Sequence, residues 1–139
     1  MLDLDTNSLG IGIVVPQTTG ATFTGNYAFS QDGFVVTSSA TVWYGLLGQV
    51  VSSGTSFTGL ADLNELTIAQ SPAVTVSGTY SPDGANPGRA TSQVTINGVA
   101  PPSNITAYQA SNALLFDVDV DSPSDGIGNV GLGVLEQQQ

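Results

Sequence analysis

The sequence predicts an all-β protein: an antiparallel β-barrel of about eight strands, with a β-sandwich as the alternative. Three observations lead there. Strand-like segments, alternating or continuously apolar, recur along the whole chain. Gly, Pro or β-branched residues interrupt almost every stretch long enough for a helix. No strand is followed by a helical pattern of about 10–15 residues, so βαβ units and a parallel sheet are not expected. The barrel is preferred because glycines inside strands suit a strongly coiled sheet. Closure also removes edges that a chain without lysine cannot guard.

The elements follow in order. "IGIVV" (11–15) is a short apolar strand. "TFTGNYAFS" (22–30) alternates, with Phe23, Gly25, Tyr27 and Phe29 on one face. A turn at Asp32-Gly33 leads to "GFVVT" (33–37). "ATVWYGLLGQVVS" (40–52) is a long apolar strand with Gly45 and Gly48 as bend points. After a turn at Ser53-Gly54 comes "TSFTGLADL" (55–63). "NELTIAQS" (64–71) reads as a loop or one helical turn. "AVTVSGTY" (73–80) places Val74, Val76, Gly78 and Tyr80 on one face. The turn formers of "SPDGANPG" (81–88) then connect to "RATSQVTIN" (89–97). "NITAYQAS" (104–111), "ALLFDVDV" (113–120) and "VGLGVLEQ" (130–137) complete the set. The aromatics, spread over most strands, are expected in the core. Trp43 and Tyr44 are adjacent and so point to opposite faces, which leaves one of them free to mark a ligand or partner surface.

Composition narrows the function. The 139 residues suit one domain. Arg89 is the sole cation against nine Asp and two Glu, giving a net charge of −10. Such a chain repels nucleic acid and anionic membrane surfaces, and its natural small partners are cations. Without Cys or His it has no disulfide, none of the usual zinc ligands, and no Ser-His or Cys-His nucleophile. No apolar run approaches the roughly 20 residues of a membrane-spanning helix, so no membrane insertion is expected. "MLDLDTNSLG" lacks the positive start of a signal peptide. A surface built from 15 Ser, 15 Thr and 17 Gly resembles that of secreted all-β modules. The expected location is therefore extracellular or at the bacterial cell surface, with any leader removed or lying upstream.

Chemistry concentrates in one place. Asp117, Asp119 and Asp121 occupy alternate positions of a strand and share a face, and Asp125 follows in the loop. Three like charges on one face repel unless solvated or bridged. Ca²⁺, which takes carboxylate oxygens, is the expected ion for Asp117, Asp119, Asp121 and Asp125. The bland alternative is a solvated acidic strand face. The spacing is not that of an EF-hand, since Ser122 and Gly128 stand where Gly and Glu are needed. Asp62, Asn64 and Glu65 read as caps of a following turn. Nothing singles out a carboxylate pair across a cleft, and "GANPGRAT" lacks the lysine of a P-loop. No enzyme is expected.

One pattern occurs twice. "DLDTNSLGIGIVVPQ" (3–17) and "DVDVDSPSDGIGNVGLGVLEQQ" (117–138) share alternating acids, then Gly-apolar-Gly, then Gln. Gly10 aligns with Gly131, Gly12 with Gly133 and Gln17 with Gln138. Further blocks stand between them: "GNYAF" (25–29), "GQVVSSGTSFTGLADLN" (48–64) and "GTYSPDGANPGRAT" (78–91). With these, the chain resembles domains repeated in large secreted proteins of acidobacteria and related soil bacteria. Those domains read G-N-Y-A-F, then G-x-F-x-x-x-G-x-G-x-I-x-G-x-x-D-x-N, then G-T-Y…G-R-A/G-T, and end D-x-D…G-x-G-x-x-E-x-Q. The likeness covers most of residues 21–138 and departs at Val50 and Ser56, where the pattern has Phe and Gly. Its motifs are structural glycines and aromatics and imply no catalytic residues. In such tandem proteins one unit's ending runs into the next unit's G-N-Y-A-F. The resemblance thus implies that residues 1–17 are a terminal strand like the end of a preceding unit, with a single all-β domain over 18–139.

Two functions fit. The first is a non-enzymatic extracellular structural or adhesive module. It would self-associate, or join neighbouring repeat units, through residues 9–17 and 130–137, by head-to-tail strand addition into a filament or tandem string. The second is a small-ligand-binding barrel of lipocalin-like character. A barrel of about eight strands can fill with side chains or hold one small ligand, so the interior discriminates between them.

Overall fold

The computed structural model describes residues 2–4, 9–11, 15–17, 22–36, 40–65, 68–97, 102–120 and 128–139. Its strands are β1 (Leu2–Leu4), β2 (Leu9–Ile11), β3 (Thr24–Val36), β4 (Thr41–Ser53), β5 (Ser56–Glu65), β6 (Ile68–Pro82), β7 (Arg89–Ile96), β8 (Ser103–Ser111), β9 (Leu114–Val120) and β10 (Gly128–Gln137). From β3 onward the chain is an antiparallel meander. β10 pairs with β9 on one side and β3 on the other, closing an eight-stranded barrel. The expected fold class is the observed one, and the sandwich alternative falls away.

Alternation sets the two faces of the wall. Phe23, Tyr27, Leu46, Val50, Phe57, Val76, Tyr80 and Leu115 point inward and are buried. Phe23 sits at the centre of an aromatic cluster, with ring centroids 4.7 Å from Tyr27, 4.9 Å from Tyr80 and 5.8 Å from Phe57. Geometry of this kind adds about 0.5–1.5 kcal/mol per pair beyond area burial. The buried Tyr27 hydroxyl donates to the Asn112 carbonyl at 2.6 Å, satisfying its one polar atom. This aromatic end of the barrel lies where β3 begins and β4 ends.

The structure corrects several local expectations. β3 runs straight through Asp32-Gly33, where a turn was expected. Asp32 pairs with Gly45 and Leu132, and Gly33 gives the Tyr44 ring room to cross the wall. The segment 64–71 contributes to two strands rather than a helical turn: Asn64 and Glu65 end β5, Ile68 begins β6, and Glu65 pairs with Ile68. Asp62, expected to cap the turn after it, bonds further along the chain. Its Oδ1 accepts from the Ala73 amide at 2.9 Å, stapling the irregularity between β5 and β6, where Ala73 has φ +57°. Phe34 and Tyr108, expected in the core, face outward and are 49% and 44% exposed. Of the adjacent pair, Tyr44 is the buried one and Trp43 is half-exposed.

The duplicated pattern has a structural counterpart. β9 and β10 form an antiparallel pair that sets Asp117 opposite Gly133 and Asp119 opposite Gly131. At the start of the chain, β1 and β2 form a separate two-stranded sheet with Asp3 opposite Gly10. Each copy is thus an antiparallel pair with aspartate facing glycine across the ladder. Residues 9–11, expected within a lone strand, pair locally with residues 2–4.

Candidate functional site

The barrel interior is polarised. Opposite the aromatic end, Asp117, Asp119, Gln31, Asn129 and Ser103 are all buried side chains on inward positions. Asn129 donates from Nδ2 to Ser103 Oγ at 2.7 Å, and Gln31 donates from Nε2 to Asp117 Oδ1 at 3.2 Å. Asp117 and Asp119 therefore do not lie on a solvated outer face. Asp117 is 8% exposed and Asp119 1%. The two share a strand face as expected, but it is the inner one.

Glycine makes this arrangement possible. A Cβ on Gly133 would stand 2.6 Å from Asp117 Oδ1 and 2.8 Å from its Cγ, so the carboxyl group occupies the space that a side chain would fill. Gly131 does the same for Tyr44, whose hydroxyl lies 2.5 Å from the position its Cβ would take. The Asp-x-Asp of β9 and the Gly-x-Gly of β10 are two halves of one device, in which the glycines open cradles and polar groups of the interior fill them.

The electrostatic consequence is large. Burial, reinforced by the neighbouring charge of Asp119, pushes the Asp117 carboxyl up from 3.8 to about 7, against a smaller opposing effect of the Gln31 hydrogen bond. Near neutral pH this group is half protonated. No cationic side chain shares the interior: Arg89, the sole one in the chain, bonds Asp83 at 3.0 Å outside the barrel. Asp83 also accepts from the Ala85 and Asn86 amides, at 2.9 and 3.3 Å, and so organises the 83–89 loop.

Of the four residues expected to hold Ca²⁺, the structure brings Asp117 and Asp119 onto one inner face, while Asp121 and Asp125 lie outside the described residues. Among the described residues, no three Asp, Glu, His or Cys side chains converge on a common point. Ca²⁺ favours several ionised or carbonyl oxygens. Sequence reasoning missed Gln31, Tyr44, Ser103 and Asn129 as members of this polar end. The available signal was the matched two-residue period of Asp-x-Asp and Gly-x-Gly.

Between the two ends lies a cavity of about 60 Å³, walled by apolar side chains including Phe29, Leu46, Val76, Ile105 and Leu135, with Gln31 and Asp117 at its polar pole. It is well below the roughly 150 Å³ of a dry engineered cavity that admits benzene. No protein-family model, curated protein or solved structure matches the chain.

Proposed function

We propose that the chain is a non-enzymatic extracellular structural or adhesive module, acting through contacts of its surface with other copies or repeat units. The observation that supports this best is the filled interior. Ligand-binding sites usually enclose about 300–1,000 Å³, several times the cavity of about 60 Å³ found here. Assembly through residues 9–17 and 130–137 takes a particular form. Both edges of β10 are paired along the barrel wall, so a strand from a neighbour has to replace β10 rather than add beside it. The Gly-x-Gly that the two sequences share, Gly10 and Gly12 against Gly131 and Gly133, supports such an exchange, because the incoming strand offers glycines at the same positions. Strands β3 to β10 close without residues 1–17, so a chain lacking them is a fair comparison. Light scattering is expected to show concentration-dependent oligomers for the full chain and a smaller species for the shortened one. Strictly monomeric behaviour of both would defeat the proposal.

The alternative, a small-ligand barrel, draws on one observation: the cavity is mostly apolar, with Asp117 and Gln31 among its few polar lining residues. Filling it with Leu46→Phe separates the readings. A small molecule that raises the melting temperature of the wild type and has no effect on the variant would favour the ligand barrel.

A further inference from the structure

One buried carboxyl oxygen is left over in the barrel interior. Asp117 is 8% exposed, and Gln31 is its one hydrogen-bond partner among the described residues. That bond goes to Oδ1. Oδ2, which leans over Gly133 beside Oδ1, accepts none among them. A carboxylate taken out of water is costly unless paired and fully hydrogen-bonded. Asp119, buried on the same inner face, adds like charge rather than relief. Arg89, the one cationic side chain in the sequence, is held by Asp83 outside the barrel. No side chain therefore supplies this carboxyl with a counter-charge. The same carboxyl lines the cavity of about 60 Å³, whose wall is otherwise mostly apolar.

We infer that this cavity is a binding site for a small primary alkylammonium ion, with its N–H donors on Asp117 and its carbon chain against the apolar wall. The inference rests on the small-ligand reading above and names the ligand class, and it is independent of assembly through residues 9–17. Three arguments select this class. The first is charge. A buried carboxylate with a like-charged neighbour is stabilised by a cation, and a chain at −10 concentrates cations around itself. The second is the donor set. A calcium ion takes six to eight oxygens, but the polar lining is Gln31, Tyr80, Ser92 and Asp117. Of these, the Tyr80 hydroxyl already donates to Gln109 Oε1 and the Ser92 hydroxyl to the Thr79 carbonyl. An ammonium group needs only acceptors for its three N–H bonds, and its methylenes gain free energy beside Leu46, Val76 and Leu135, which a water molecule does not. The third is size. A cavity of about 150 Å³ takes the six carbons of benzene, so about 60 Å³ fits roughly two or three heavy atoms. Methylammonium and ethylammonium have that size.

Heteronuclear NMR titration of the full chain, followed at the Gln31 side-chain amide, tests this. Ethylammonium chloride is expected to shift that amide saturably. Ethanol, of equal size and uncharged, should bind at least roughly tenfold more weakly. Sodium chloride at equal ionic strength, and tetramethylammonium, a cation without N–H and too large for the cavity, should give only the diffuse shifts of screening. Asp117→Asn keeps the acceptor for Gln31 and removes the charge; it should weaken ethylammonium binding at least roughly tenfold, with circular dichroism unchanged. If the variant does not fold, the comparison of ethanol with ethylammonium in the wild type decides. Ethanol binding as tightly as ethylammonium overturns the inference and leaves the small-ligand reading standing. Ethylammonium shifts that match those of sodium chloride, with no saturable binding of ethanol, overturn both. Calcium chloride that reaches the same Gln31 shift at a lower concentration than ethylammonium overturns the inference in favour of a metal site.

Discussion

Asp117→Asn tests the polar end of the barrel directly. The substitution keeps the oxygen that accepts from Gln31 and removes the titration. In the wild type the folded state holds the Asp117 carboxyl at about 7, against 3.8 when unperturbed. Because the folded pKa is the higher one, the folded chain binds the extra proton between those values, and stability falls as pH rises through that window. Three pKa units correspond to a ceiling of roughly 4 kcal/mol. Acidification from about pH 7 to about pH 5 recovers roughly 2 kcal/mol of it, or a rise in melting temperature on the order of 5–10 °C for a domain of this size. Melting curves by circular dichroism in metal-free buffer read this out. The variant should melt at or above the wild-type temperature at neutral pH and change little across the window. An equal slope in wild type and variant would assign the effect to general self-repulsion at net charge −10. A wild-type melting temperature that falls on acidification would refute the reasoning.

Other outcomes follow from the same geometry. Gly133→Ala forces a methyl group into the space of the Asp117 carboxyl and should cost about 1–3 kcal/mol by chemical denaturation, less when combined with Asp117→Ala. Tyr27→Phe removes the hydrogen bond to the Asn112 carbonyl and should cost about 0.5–1.5 kcal/mol with unchanged secondary structure. Calcium added to EDTA-treated protein should give the same calorimetric response in wild type and Asp117→Asn, whereas loss of the response in the variant would place Asp117 among the ligands.

The architecture was legible because alternation and turn chemistry are local. The faces of 22–30 and 73–80 are those expected, with Tyr27, Val76 and Tyr80 buried. Asp32-Gly33 misled because the same pair that favours a turn also suits a strand interior in which glycine lets Tyr44 cross. The acidic strand was harder. Period two states that Asp117 and Asp119 share a face, but it does not state which face is inside. Charge argues for the outer one, and it is the glycine cradle at Gly133 on the neighbouring strand that gives the inward Asp117 carboxyl its space. Phe34 misled for the opposite reason, since an exposed aromatic leaves no local mark on the sequence. Its outward position is fixed by pairing with Val130 and Trp43.

Strand exchange makes a positional claim that one measurement tests. With Gly10 equivalent to Gly131, Ile11 of an incoming strand takes the place of Leu132, which pairs with Asp32 of β3. The chain has no cysteine of its own, so Ile11→Cys combined with Asp32→Cys introduces the two thiols alone. Facing positions of an antiparallel pair are close enough to be bridged by a disulfide, which needs Cα atoms within about 7 Å. Mild oxidation followed by non-reducing electrophoresis is predicted to give a ladder of covalent oligomers that collapses on reduction. A single band of monomer mass, at every protein concentration, would contradict assembly through these strands.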